Sequence, residues 1–190
     1  LKQGWLSPAY VTTDESGKIT NISDQHSAVV NEKINGFAIP PVTNAHSHAF
    51  QYGMAGLTEN IPTGQSHDNF WSWRDRMYCL ANQITPDQME SIAKMLYAEM
   101  LRVEYNHVVE FHDLRNDDKG NTYSTPNEMA DRLISAALKV GIKITLVPVY
   151  YRCSNFGRGP SEAQRRFQFS SIDSYFKHIE SLSSTYASNS

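Results

Sequence analysis

The stretch that decides the fold is Val42-Thr43-Asn44-Ala45-His46-Ser47-His48-Ala49-Phe50-Gln51. It begins as a short apolar strand and ends at two histidines. Residues two apart on a strand point to the same side, so His46 and His48 should project together. The ends of parallel strands are where α/β folds place their sites. Two imidazoles at this spacing form half of a tetrahedral or five-coordinate zinc site, although hydrogen-bonded surface pairs of histidines share the same spacing.

Further apolar runs follow at 107–112 and 142–150, and amphipathic segments of helical length separate them. The segments TPDQ at 85–88 and TPNE at 125–128 are helix start signals, and Gly141 favours a helix end. A third helix is predicted from about Ile172 to Leu182. The run at 142–150 is almost continuously apolar, which is typical of a strand covered on both faces. Parallel strands joined by helical crossovers are the simplest interpretation.

Three segments differ in their patterns. Residues 1–40 predict an amino-terminal β-segment of short antiparallel strands around the turn-rich stretch 13–17, as part of a small β-sandwich. Residues 41–180 carry the β/α units. Residues 181–190 form a serine-rich tail, in which five of ten residues are serine.

Composition excludes several classes of protein. The 190 residues are 40% apolar and 19% charged with a net charge of −3, as in a soluble globular protein. The chain has no basic stripe for a nucleic acid and no apolar run approaching the ~20 residues that cross a membrane. Cys79 and Cys153 match no metal or redox spacing, so we expect unpaired thiols, buried or inert, in a reducing compartment. We therefore expect a cytoplasmic protein.

Several ordered motifs give the chain a resemblance to a known family. They are HSHAFQ at 46–51, MAGLTE at 54–59, FWSWR at 70–74, MY at 77–78, ITP at 84–86, LYAEML at 96–101, EFH at 110–112 and QRRF at 164–167. With these motifs the chain resembles the amidohydrolase superfamily and, within it, the formimidoylglutamate deiminase family, from about Ala38 to Tyr175. The resemblance implies an α/β fold, a partial (β/α)8 TIM-type barrel of about the first three β/α units.

The resemblance also implies a metal-dependent hydrolase of C–N bonds. Such an enzyme converts N-formimino-L-glutamate and water to N-formyl-L-glutamate and ammonia in histidine degradation. His46 and His48 would be the first two ligands of Zn²⁺ or another divalent metal, which would activate water. Gln51 lies where the family holds its small-molecule substrate, although a surface amide is the simpler interpretation of Gln51 by itself. A homo-oligomer is implied for the full-length parent.

Two positions depart from the family. Asp113 replaces a tyrosine that contacts substrate, and its carboxylate should repel a dicarboxylic substrate. This keeps open a deaminase of another amidine or of a nucleobase. The helix before the EFH strand lacks its usual glycine, so either Glu104 or Asn106 must adopt the turn conformation, and asparagine does so more readily.

A complete barrel needs about 250 residues, and only about 150 follow Pro41. The catalytic residues and further metal ligands are expected on later strands absent from this chain. The later histidine, His178, is expected on a helix surface. We therefore expect a truncated chain that is inactive alone, and a non-catalytic remnant acting as a binding partner is the alternative.

Other candidate residues are ambiguous. Glu110 and His112 share a strand face and are as compatible with a structural polar pair as with catalysis. The aromatic residues of the 70–74 motif are more typical of a core than of a pocket roof. The acidic loop at 113–118 is expected to be solvated rather than to bind a cation. The remaining histidines, for which the sequence indicates no partner, are His26, His67 and His107.

Overall fold

A computed structural model describes residues 4–26, 30, 32–58 and 69–187, and the chain forms two compact units, Leu1–Ile39 and Pro40–Ser190. In the first unit, β1 (Tyr10–Thr13) pairs antiparallel with β2 (Ile19–Ser23). The Asp14 carboxylate accepts hydrogen bonds from the backbone of Ser16 and Lys18 at 3.0 and 2.9 Å and closes the turn between them. This is the antiparallel pair that the sequence predicts; the β-sandwich stays a prediction.

The second unit contains a parallel three-stranded sheet. Its strands are β3 (Val42–Ser47), β4 (Tyr105–His112) and β5 (Lys143–Pro148), in the order β3-β4-β5. They coincide with the three predicted apolar runs, and the mixed α/β class is confirmed. The expectation that the third strand is covered on both faces is wrong, because Lys143 and Thr145 of β5, which point to the same side of the strand, are exposed.

Four helices accompany the sheet: α1 (Phe70–Ala81), α2 (Pro86–Arg102), α3 (Glu128–Val140) and α4 (Ile172–Tyr186). The sequence patterns do not predict α1. Helix α2 begins as predicted, with a capping box in which Thr85 and Gln88 bond each other's backbone N–H groups. Helix α4 continues four residues beyond Leu182, so its last turn occupies part of the predicted tail.

The chain reverses between α2 and β4 at Glu104, which has a φ of +72°. Asparagine is the better residue for this conformation, but Asn106 already belongs to β4. The preference for Asn106 is therefore wrong. The turn falls before β4 begins, so Glu104 adopts the left-handed conformation although asparagine is better suited to it. Gly141 ends α3 with a φ of +86°, as predicted.

The core lies between one face of the sheet and the helices, and includes Val108 of β4, Tyr97 of α2 and Leu133 of α3. Buried Glu90 of α2 joins α2 to α3 by accepting hydrogen bonds from Lys139 at 2.5 Å and Arg132 at 3.3 Å. These bonds, above all the one from Lys139, lower the pKa of Glu90 to about 2 against the opposing effect of burial. Among the described helices, none has the length and apolar character needed to span a bilayer.

Candidate metal centre

The two histidines of the first motif converge at the carboxyl end of β3. Between paired residues Asn44↔Val108 and Ser47↔Glu110, β3 advances three residues while β4 advances two, which is a bulge. Ser47 is buried, and the rings of His46 and His48 lie instead against Phe111, at 4.6 and 5.6 Å. Their Nε2 atoms are 2.9 Å apart. The predicted convergence of the two imidazoles is therefore present.

An aspartate contacts the second histidine from the opposite side of its ring. Nδ1 of His48 lies 2.6 Å from Oδ2 of Asp113, which follows directly after β4. This hydrogen bond raises the pKa of His48 against the opposing effect of burial. Asp113 was predicted as a substrate-binding residue, and the structure gives its carboxylate a partner within the chain.

A buried glutamate holds the backbone of the histidine segment. The Ala49 N–H donates a hydrogen bond of 2.5 Å to Oε1 of Glu110. Glu110 is only 1% exposed. Burial raises the pKa of Glu110, while the Ala49 N–H, the Ser47 side chain and His48 favour its charged form. Glu110 therefore fixes the chain immediately after His48.

The two imidazoles fit a divalent metal as two of its ligands. Two nitrogens bound to one zinc ion at about 2.0–2.1 Å lie about 2.8 to 3.4 Å apart for bond angles of about 90° to 109°. The observed separation of 2.9 Å falls at the lower end of this range. Catalytic zinc sites use three protein ligands, and no cluster of three suitable side chains occurs among residues 4–26, 30, 32–58 and 69–187.

Gln51 lies in the 3₁₀-helix Ala49–Met54 that follows the histidines. It is half-buried, and its backbone N–H donates to the carbonyl of His48 at 2.9 Å. Its side chain has no hydrogen bond to another described residue. A substrate-binding role for Gln51 stays a prediction.

Glu110 and His112 share a strand face as predicted, but together with Val108 they occupy its buried face. They therefore lie on the side of β4 opposite to Phe111 and the two converging histidines. The expectation for His178 is wrong: the residue is 5% exposed, because its side of α4 packs against Phe169, at 5.7 Å between ring centroids, and against His112, at 6.2 Å.

The expectation that the aromatic residues of the 70–74 motif form core is wrong for two of them. Phe70 and Trp71 are 61% and 60% exposed, and Trp73 packs against the core. They lie in the first turn of α1, where only part of the helix circumference faces inward. Both cysteines are unpaired and exposed, so the thiols are not buried.

The QRRF motif is structural. Arg166 is 1% exposed and donates to the carbonyls of Ala81, Ile84 and Asn116 and to the hydroxyl of Tyr123. No local periodicity indicates this role, since every acceptor is at least 40 residues away along the chain.

Two of the three histidines without a predicted partner have one. The His26 ring lies 5.2 Å from that of Tyr10, and His107 bonds Thr145 at 2.9 Å. His67 and Glu59 of the MAGLTE motif lie outside the described residues. In the acidic loop, Asp117 accepts hydrogen bonds from the backbone of Lys119 and Asn121.

Comparison with known proteins shows which proteins this chain is similar to. No family model matches the chain. It is 38% identical over 183 residues to a formimidoylglutamate deiminase of Pseudomonas aeruginosa, covering 96% of this chain and 40% of that protein. A crystal structure of an amidohydrolase from Brucella melitensis matches with a TM-score of 0.89 and 39% identity, covering 99% of this chain and 41% of that one. The chain thus spans about two fifths of these relatives' length.

A zinc complex of atrazine chlorohydrolase from Arthrobacter aurescens shares the fold, with a TM-score of 0.60 and 18% identity over 77% of this chain and 31% of that one. The class of protein that this chain resembles in both sequence and fold is that of the amidohydrolases. The particular relative is formimidoylglutamate deiminase, to whose amino-terminal portion the chain is similar over nearly all its length. The resemblance predicted from the sequence is confirmed.

Proposed function

We propose that this chain is the amino-terminal part of a metal-dependent C–N hydrolase, a partial (β/α)8 barrel in which His46 and His48 bind a divalent metal such as Zn²⁺. The observation that carries the proposal is the 2.9 Å approach of the two Nε2 atoms at a strand end. Identity of 38% to a formimidoylglutamate deiminase supports N-formimino-L-glutamate as the substrate, hydrolysed to N-formyl-L-glutamate and ammonia.

The chain's own residues prepare the site in two ways. The Asp113 carboxylate is hydrogen-bonded to Nδ1 of His48, and the Phe111 ring packs against the imidazole rings of His46 and His48. Glu110 fixes the backbone after His48 through the Ala49 N–H. A divalent metal bound there supplies Lewis-acid chemistry that makes water a nucleophile near neutral pH. Gln51, one 3₁₀ turn further along the chain, is proposed to contact the substrate.

A chimera tests the activity. The aligned segment of the Pseudomonas aeruginosa deiminase is replaced by this chain, and ammonia release from N-formimino-L-glutamate is measured with and without a chelator. We expect metal-dependent turnover that His46→Ala and His48→Ala abolish, while His26→Ala, in the first compact unit, leaves it unchanged. A folded chimera whose turnover survives both site substitutions contradicts the proposal.

A second substrate class is favoured by the Asp113 carboxylate at the site. A neutral or cationic amidine, or a nucleobase, avoids the like-charge repulsion that a dicarboxylate meets there. The same chimera is therefore assayed with a panel of these compounds. If Asp113 selects against dicarboxylates, Asp113→Asn should raise kcat/KM for N-formimino-L-glutamate relative to a neutral amidine.

A further inference from the structure

We infer that Asp113 is a positioning residue that fixes the tautomer of His48. This inference rests on the proposed metal-binding function, and it gives Asp113 a role other than substrate contact. The distance of 2.6 Å between Nδ1 of His48 and Oδ2 of Asp113 carries it. A carboxylate only accepts hydrogen bonds, so Nδ1 must carry the proton.

The consequence falls on the opposite ring nitrogen. In a neutral imidazole one nitrogen is protonated and the other has a free lone pair. With the proton held on Nδ1, the lone pair of His48 is on Nε2, which lies 2.9 Å from Nε2 of His46. Asp113 thereby directs the lone pair of His48 to the place where the two rings converge. Metal-binding histidines in general have their other nitrogen held by such a partner.

The surroundings make Asp113 suited to this task. Its side chain is 13% exposed, which limits competition from water for the carboxylate. It follows β4 directly and precedes the buried Leu114, so the backbone on both sides of it is anchored. The His48 ring lies against Phe111, at 5.6 Å between ring centroids, so one side of it is covered by the chain.

The tautomer is read from the metal-free chain labelled with ¹⁵N-histidine, by long-range ¹H–¹⁵N correlation at a pH where the rings are neutral. We expect Nδ1 of His48 to be protonated in the native chain. Asp113→Leu removes the acceptor and should shift the proton towards Nε2. Asp113→Asn retains an amide oxygen that accepts the same hydrogen bond, so it should preserve the native tautomer. Asp118→Asn, on the exposed part of the same loop, is the matched control.

Zinc titration of the same proteins gives the second readout. Loss of such a partner typically weakens metal binding by about 10- to 100-fold. We expect this loss in Asp113→Leu, a smaller one in Asp113→Asn, and none in Asp118→Asn. Far-ultraviolet circular dichroism confirms that each variant is folded, and Asp113→Ala, which also removes the acceptor, serves as the test if Asp113→Leu fails to fold.

The outcomes separate this inference from the proposed function. If a folded Asp113→Leu keeps both the His48 tautomer and the zinc affinity of the native chain, the inference is wrong and the metal site stands. If the tautomer changes but neither the native chain nor the variant binds zinc, the inference stands and the metal site does not. If native His48 is protonated on Nε2, the inference is wrong whatever zinc does.

Discussion

Acidification should destabilise this chain through two buried histidines that do not belong to the candidate metal centre. His112 and His178 are 3% and 5% exposed, and their ring nitrogens have no hydrogen-bond partner within the described part of the chain. Burial lowers the pKa of His112 to about 3, with the His178 and Arg115 charges adding to it, and lowers that of His178 to about 4, with the Arg115 charge adding to it. In the unfolded chain each titrates near pH 6.5. The unfolded state therefore binds more protons, and stability falls as the pH drops below 6.5.

The size of the effect follows from the difference in protonation. Between pH 7 and pH 5, exclusion of one proton costs about 2 kcal/mol for His112. The cost is also about 2 kcal/mol for His178, because its folded-state pKa of about 4 likewise lies below pH 5. The free energy of unfolding should thus fall by about 4 kcal/mol over this range from these two residues.

The assay is urea unfolding at pH 7 and pH 5, followed by circular dichroism. In His112→Leu/His178→Leu the pH-dependent loss should be about 4 kcal/mol smaller than in the native chain. Leucine leaves no described hydrogen-bond partner unsatisfied at either position. The control is His26→Leu, an exposed histidine of the first unit, which should keep the native loss. An equal loss in the native chain and the double variant refutes the reasoning.

Three other predictions concern the fold and the support of the site. Glu90→Gln should lower the free energy of unfolding by about 1–2 kcal/mol at pH 7, less than the full pKa shift implies because its cationic partners are solvated. Because the pKa of Glu90 is lowered to about 2, this difference should shrink as the pH falls from 4.5 towards 2, and a constant difference in urea unfolding contradicts it. Glu110→Ala should speed hydrogen exchange of the Ala49 amide by about tenfold or more, and Glu110→Gln should change it less. Equal exchange rates in the two variants would contradict the hydrogen bond from Ala49 to Glu110 as the cause of protection. Arg166→Met should lower the free energy of unfolding, measured by thermal denaturation, by about 3 kcal/mol or more. Arg158→Met, on an exposed loop, is the control and should lower it by less than about 0.5 kcal/mol. Similar losses in the two variants would contradict a stabilising role for the buried hydrogen bonds of Arg166.

Short stretches of the sequence correctly predicted the parallel strands and the start of α2. The parallel strands follow from apolar runs, and the start of α2 follows from Thr85 and Gln88, which lie three residues apart. The pairing of His46 with His48 follows from the side-chain alternation of a strand. Each of these features depends on neighbours in the chain, so the sequence shows them directly.

The features that were missed depend on distant contacts. His48 and Asp113 are 65 residues apart, and Ala49 and Glu110 are 61 apart. The position of His178 in a helix did not indicate that it is buried. It contacts His112 of β4, which is far away in the sequence and comes close only in the folded chain. Helix α1 was missed because its inward face is narrow and its first turn exposes two large aromatic residues.

The central claim is that His46 and His48 bind one metal ion through their Nε2 atoms. Zinc titration of the ¹⁵N-histidine-labelled chain tests this claim most directly. We expect the Nε2 resonances of His46 and His48 to respond together, with a single one-to-one isotherm, and His46→Ala to abolish the response of His48. If zinc leaves both resonances unchanged, or if His48 responds equally without His46, the account is contradicted.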